Sequence, residues 1–301
     1  MANRKSTLVY RTDLVNVGIG QGQMQSVSYL ASQTDYDTES RVIMQCSYSA
    51  SGGVVEKTVF EYDANGRLVH ELYYTGEPEP AEENSYEYDE KGKVCREFKH
   101  YIDGSKDTTD YAYDDSGKLI EKVTVDEEGE TELREVFEYE GDLLVNHVIS
   151  DGEDNTVVSE EFGYNEKGQV LMQIRDDNET GEFFKLVVEY NESGRKVSEK
   201  IYDEEDELVE TTWFDEDENG RVIQTVEENS LRRHEKHFFY DDQGNGLGYE
   251  EINEDGDKVV VVEHQLGEHK HPVASMVFVH GAGRSPGQHY ELKYEYVWHE
   301  A

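Results

Sequence analysis

Along most of the chain apolar and polar residues alternate with a period of two, and short polar turns interrupt the alternation at regular intervals. In Leu133-Arg134-Glu135-Val136-Phe137-Glu138-Tyr139 the two rings share one strand face while Glu138 points to the other. Phe60/Tyr62, Tyr86/Tyr88, Tyr111/Tyr113, Phe162/Tyr164 and Phe238/Tyr240 repeat the arrangement. Valine and tyrosine suit a pleated, half-buried surface, so the pattern predicts an all-β chain built of many short strands.

The turns carry a repeat. Phe60-Glu61-Tyr62-Asp63-Ala64-Asn65-Gly66-Arg67-Leu68 recurs from Tyr86, Tyr111, Phe162, Val188 and Phe238, with weaker copies from Tyr36, Phe137 and Phe214. The markers Tyr36, Tyr62, Tyr88, Tyr113, Tyr139, Tyr164, Tyr190, Glu216 and Tyr240 follow one another at 24 to 26 residues. That length suits two strands and two turns, so each unit reads as a β-hairpin. In the first turn Asp or Asn bonds its own downstream backbone and Gly accepts a positive φ. The second turn varies, as in Asp103-Gly104-Ser105, Asp126-Glu127-Glu128-Gly129, Asp151-Gly152-Glu153 and Glu254-Asp255-Gly256-Asp257, which makes it a place for specificity.

The expected fold is an antiparallel meander of about nine hairpins over residues 36–262, in one extended, twisted and curled sheet, open or partly closed. Residues 1–35 and 263–301 are expected as capping strands, Ser6–Tyr10 and Ala274–Val279 among them. Consecutive hairpins would align the rings in two columns. With Val42, Leu68, Val94, Leu119, Leu143, Val170 and Val222, such columns would supply cohesion at roughly 1.5 to 3 kcal/mol per buried large side chain.

The Tyr-Asp-x-x-Gly-Arg/Lys-Leu/Val signature at Tyr62, Tyr88 and Tyr113 resembles the YD repeat of the rearrangement-hotspot (RHS) family. That resemblance covers about three quarters of the chain. It implies hairpin sheets that spiral into hollow shells, as in bacterial polymorphic toxins, insecticidal toxin complexes and teneurin-type adhesion proteins, where the shell encloses or presents another polypeptide. The chain is shorter than those shells and has neither the self-cleaving Asp-Pro-x-Gly motif nor a recognisable toxin domain. A stand-alone repeat module is therefore the expectation.

Charge narrows the function classes. The formal net charge is −41, from 28 Lys+Arg against 69 Asp+Glu, in 301 residues. Residues 1–35 carry +1 and residues 264–301 carry −1, so the excess belongs to the repeats. Such a field repels phosphate backbones and anionic lipid, which argues against nucleic-acid or membrane partners and favours a neutral or basic protein. Crowded carboxylates also imply that moderate salt stabilises the fold. No apolar run reaches the roughly 20 residues of a membrane span, and no signal-peptide pattern opens the chain, so a cytoplasmic address is expected. Cys46 and Cys95 fit no metal spacing and read as reduced thiols.

His264, His269, His271, His280, His289 and His299 crowd the C-terminal segment, yet His269-x-His271 lacks further ligands at a recognised interval and reads as surface or cap histidine. The stretch Val279–Gly287 is similar to an oxyanion loop but has no nucleophile elbow, and Gly18-Ile19-Gly20-Gln21-Gly22 lacks the dinucleotide spacing; both read as glycine loops. Asp215–Gly220 and Asn253–Asp257 are acidic enough for Ca²⁺ but miss the EF-hand spacing, so they read as solvated turns. No catalytic, cofactor-binding or metal residue is assigned, and no cofactor is expected. The leading expectation is a non-catalytic protein-binding module, an accessory, chaperone or immunity-like partner of a secreted toxin or effector. A glycan binder stacking sugars on Trp213 or Trp298 is the alternative, and a hydrolase with unidentified carboxylates comes third.

Overall fold

A computed structural model describes residues 3–16, 24–281 and 287–300. Among the described residues there are 22 strands and no helix. In chain order they are β1 (Arg4–Asn16), β2 (Met24–Tyr36), β3 (Val42–Tyr48), β4 (Val54–Tyr62), β5 (Leu68–Tyr74), β6 (Glu82–Tyr88), β7 (Val94–His100), β8 (Lys106–Tyr113), β9 (Leu119–Val125), β10 (Thr131–Glu140) and β11 (Leu143–Asp151). They continue with β12 (Thr156–Tyr164), β13 (Val170–Asp177), β14 (Glu182–Tyr190), β15 (Lys196–Tyr202), β16 (Leu208–Glu216), β17 (Val222–Asn229), β18 (Arg233–Tyr240), β19 (Gly246–Ile252), β20 (Lys258–Leu266), β21 (Pro272–Val279) and β22 (Gln288–Trp298).

Two compact units emerge. Unit 1 holds Met1–Glu82, Val222–Gln224 and His234–Ala301; unit 2 holds Glu83–Arg221 and Thr225–Arg233. Unit 2 is an antiparallel meander from β6 to β16 in which each strand pairs with the next. Unit 1 runs β18, β19, β20, β21, β22, then β1 to β5, again antiparallel throughout.

The join between β22 and β1 corrects the expected architecture. The first and last strands pair from Arg4↔Trp298 to Asp13↔Tyr290, and the sheet numbers 22 strands. The antiparallel sheet thus has its first and last strands paired with each other, and is not an open, curled sheet of about nine hairpins with caps. β3 to β20 supply two strands per repeat, and the terminal segments add four more. The physical reason is the edge: a terminal strand of 13 residues, as β1 is, would expose a row of unpaired backbone groups, and β22 satisfies them.

Among the described residues few are buried, the apolar ones being Cys46, Val158, Val188, Val262 and Val277. What links successive repeats is polar. The β3–β4 ladder begins at Met44↔Val59, leaving the Val42 carbonyl beyond it, and the Tyr62 hydroxyl donates to that carbonyl at 2.7 Å. The same bond runs from Tyr113 to Val94 (2.8 Å), Tyr139 to Leu119 (2.9 Å), Tyr164 to Leu144 (2.6 Å), Tyr190 to Val170 (2.9 Å) and Tyr240 to Val222 (2.9 Å). The marker rings lie across from aliphatic residues, Tyr62↔Leu68 and Tyr164↔Val170 for example, so each column alternates ring and aliphatic.

The turn chemistry follows from the motif. Asp63 Oδ1 accepts from the backbone N–H groups of Asn65 (2.8 Å) and Arg67 (2.9 Å), while Gly66 sits at φ 81° and donates to the Asp63 carbonyl. Backbone and side-chain hydrogen bonds from Arg67 lower the Asp63 pKa to about 2, and those from Arg221 do the same at Asp217. Three second turns share the build: Asp151, Asp203 and Asn253 each accept from the N–H groups two and four residues on.

Removing one marker hydroxyl, Tyr164→Phe, should cost about 1 kcal/mol in urea unfolding, and adding Tyr113→Phe should roughly double the loss because the sites share no partner. For the caps, a pKa depressed from 3.8 to about 2 stabilises the folded state above the unfolded value and is lost as pH falls through that window. The melting temperature should therefore drop between about pH 4 and pH 2. The double variant Asp63→Asn, Asp217→Asn should show a shallower drop, and an unchanged slope would refute the assignment.

Candidate functional site

Three surfaces arise from this scaffold. The first is the rim of the motif turns, where the basic residue after the glycine is used locally. Arg41 pairs with Asp37 at 2.6 Å and lies 4.8 Å from the centre of the Tyr62 ring, one repeat on. Lys93 and Lys118 reach forward to the carbonyls of Gly117 and Gly141, and Gln169 reaches Gly194 at 2.7 Å. On this rim the cations are spent stapling each turn to the next, and their charge is largely matched.

The second surface is the ring-bearing face of unit 2. Register places Lys122 across from Glu135, then Phe137, His147, Glu160, Arg175 and Phe184 in one row over five strands. His147 Nε2 lies 3.2 Å from Glu135 and its Nδ1 2.9 Å from Glu160, with the imidazole stacked on Phe137 at 4.4 Å. Lys122 approaches Glu135 at 3.3 Å, Arg175 approaches Glu160 at 3.2 Å, and the other arm of Arg175 meets Asp177 at 3.2 Å. Burial works to raise the Glu160 carboxyl pKa, but hydrogen bonds from His147 and Arg175 outweigh it and hold the group below its ordinary value. Desolvation and the Glu97 carboxylate, 2.6 Å away, push the Tyr111 phenol upward. The row is saturated with internal partners, so it braces the sheet.

The third surface is the rim of the second turns in unit 2. One carboxylate per turn caps the backbone; the others point outward. Glu127, Glu128, Glu153, Glu204 and Glu205 are exposed and make no ion pair among the described residues, whereas Asp206 is held by Lys185 at 2.7 Å. Between these turns lies a depression of about 430 Å³ lined by Leu133, Asp151, Asn155, Thr156, Val157, Asn178 and Glu179. Leu133 is 40 % exposed there. Gly152 makes the closeness of the backbones possible, since a side chain at this position would collide with the Thr131 carbonyl. An apolar patch framed by unneutralised carboxylates is complementary to a chain bearing both aliphatic and cationic side chains.

The candidates singled out in the sequence are scattered. His264 Nδ1 sits 2.8 Å from Ser275 Oγ, which bonds the Tyr294 hydroxyl at 3.2 Å and is 1 % exposed. His269 lies edge-on to Trp298 and His271 beside Tyr296, so the two rings serve different neighbours. His280 and His289 flank Phe278, and His299 faces the Tyr36 carbonyl at 3.1 Å. Among the described residues no group of three or more His, Cys, Asp or Glu is placed to hold a metal ion. In the acidic turns Asp217 bonds Arg221, and Asn253 accepts from the N–H groups of Asp255 and Asp257. Gly18–Gly22 and, within Val279–Gly287, residues 282–286 lie outside the described residues. Cys46 is buried, Cys95 half-buried, and both thiols are free. Trp213 is 42 % exposed across from Ser198, while Trp298 has the Arg4 guanidinium 5.7 Å from its ring.

Two features escaped the sequence reading. The His147 row has no linear signature, because its members come together only through register. A degenerate tenth turn follows Tyr240 by 26 residues: Leu266 stands in the marker position, Lys270 takes the positive φ (61°), and the Tyr296 hydroxyl donates to the Pro272 carbonyl at 2.7 Å. Tyr, Asp and Gly are all replaced there, leaving spacing as the one available signal.

No family model matches the chain, and no curated protein does. Among solved structures it is similar to a porin-like protein from Bacteroides uniformis, at 10 % identity, 99 % coverage of both chains and a TM-score of 0.34. A porin-like protein from Bacteroides vulgatus gives 10 %, 99 % of both chains and 0.28. The TcdB2-TccC3 structure without its hypervariable C-terminal region gives 10 % identity and 0.29, with 92 % of this chain against 20 % of that one. The chain thus spans about a fifth of the length of TcdB2-TccC3.

Replacing His147 with Leu would remove the donor that lies between Glu135 and Glu160, leaving Glu135 with Lys122 and Glu160 with Arg175 and Gln173. A destabilisation of about 1 to 3 kcal/mol is expected in urea unfolding, partly relieved by adding Glu135→Gln. A neutral His147→Leu would show that the row does not brace the sheet.

Proposed function

We propose that this chain is a non-catalytic module that holds a basic polypeptide against the second-turn rim of unit 2. The observation that carries the reading is the contrast between the two rims: Arg and Lys of the motif are engaged on the first, while Glu127, Glu128, Glu153, Glu204 and Glu205 stand unpaired on the second. The adjoining Leu133 and Val157 depression supplies apolar contact, which charge alone does not. The pairing of β1 with β22 also favours docking on rims and faces, since the two chain-terminal strands offer no free edge for an added strand. The YD-repeat character of the motif turns supports placing the module with the RHS type of repeat, in an accessory, chaperone or immunity-like role beside a toxin or effector. A sugar-binding role rests on the exposed Trp213 and Trp298 rings, and glycan-array binding abolished by Trp213→Ala or Trp298→Ala is the result that would prefer it.

The test is binding of a fluorescein-labelled peptide of alternating leucine and lysine, read by anisotropy at fixed salt. Converting Glu127, Glu128, Glu153, Glu204 and Glu205 to Gln should weaken binding at least about tenfold. A control with the same charge change, Glu90, Glu166, Glu192 and Glu218 to Gln with Asp242→Asn, should alter it less than about twofold. Equal losses in the two variants would reduce the effect to net charge and overturn the assignment of the rim.

A further inference from the structure

A second, independent constellation lies in unit 1 on the sheet face opposite the marker rings. Register sets Phe239, Gly248, Glu263, Met276 and Glu291 side by side in one row, with His237, Glu250, Val261, Phe278 and His289 in the next. Met276 is 37 % and Phe278 42 % exposed. Gly248 (φ 130°) leaves the row without a side chain at its strand, because a Cβ there would collide with the Val262 carbonyl. A depression of about 300 Å³ results, lined by Val261, Glu263, Met276, Val277, Phe278 and His289.

The acids of this face are not equivalent. Glu250 is held by Lys258 at 2.5 Å and approached by His237 at 3.6 Å, and Glu291 lies 3.8 Å from Lys293. Glu263 is exposed and makes no ion pair among the described residues, yet it stands directly across from Met276. The His289 ring meets Phe278 edge-on, with centroids 6.0 Å apart. A thioether, an exposed benzene ring and one unneutralised carboxylate thus border a single depression. A purely apolar group seated there would desolvate Glu263 without pairing it, and an anion would be repelled. A side chain with an apolar stem and a planar cationic head satisfies all three components.

We propose that this depression binds an arginine side chain presented by a partner polypeptide. The methylenes lie on Met276 and Val261, the guanidinium stacks on Phe278, and its N–H groups donate to the Glu263 carboxylate. The proposal takes its partner class from the basic polypeptide argued above, but the site belongs to unit 1 and its geometry makes no use of the unit 2 rim.

The experiment uses the full chain with ¹³C-methyl methionine, the Met276 signal being assigned among the five methionines with Met276→Leu. The probes are N-acetyl-arginine N-methylamide and its uncharged citrulline counterpart. The arginine compound should move the Met276 methyl resonance saturably, with the citrulline compound at least about tenfold weaker. Glu263→Gln should weaken the arginine response by at least about tenfold, and Phe278→Leu, which keeps an apolar surface, should weaken it as well. Substituting the five rim glutamates should leave this titration unchanged, so failure of the rim reading and failure of the pocket are distinguishable. A Met276 signal unmoved by the arginine compound, an equal response to citrulline, or an unaffected Glu263→Gln would each overturn the proposal.

Discussion

The fold depends on the bond from a marker tyrosine hydroxyl to the carbonyl that the neighbouring strand leaves beyond the end of its ladder. A sheet with so few fully buried side chains has little apolar burial to hold one hairpin to the next. The ladders supply most of the cohesion, but a ladder that stops short leaves a carbonyl unsatisfied at every turn. In six repeats a marker phenol closes that gap, from Tyr62 on Val42 to Tyr240 on Val222. Phenylalanine would fill the same volume and leave the carbonyl bare, which explains why the residue two positions earlier varies among Phe, Tyr, Val and Thr while the marker is nearly always Tyr.

Around that bond the remaining motif residues divide the labour. Asp or Asn caps the turn, Gly takes the left-handed backbone, and Arg, Lys or Gln reaches to the next turn. The motif is thus a connector written along one rim. Its cations are consumed there, which leaves the acidic excess concentrated where no motif operates. The electrostatic asymmetry between the rims is a by-product of how repeats are joined, and it supplies the surface to which a basic partner is proposed to bind.

The charged row of Lys122, Glu135, His147, Glu160, Arg175 and Asp177 shows how a thin sheet tolerates ionisable groups on its half-buried face. Glu135 and Glu160 meet donors from adjacent strands and Asp177 meets Arg175 of its own strand, so desolvation is offset locally. The face reads as acidic and basic residues at random in the sequence, yet the register turns them into one network. The proposed docking sites lie instead where exposed carboxylates lack such partners, at the second-turn rim and at Glu263.

The sequence by itself determined the strands, the turns and the repeat, because alternation, Asx caps and positive-φ glycines are local properties that act within a few residues. It also located the acidic excess, since charge can be counted along the chain. The pairing of β1 with β22 was decided only in the tertiary structure: the two strands are far apart in sequence, and no local pattern records which partner each one finds. The same holds for the Leu266 turn, kept by its place in the ladder after its motif residues were replaced, and for the His147 row and the Glu263 depression. Members such as His147 and Glu160, or Glu263 and Met276, stand one strand apart in space but well apart in sequence, joined by pairings that the composition of either strand leaves open.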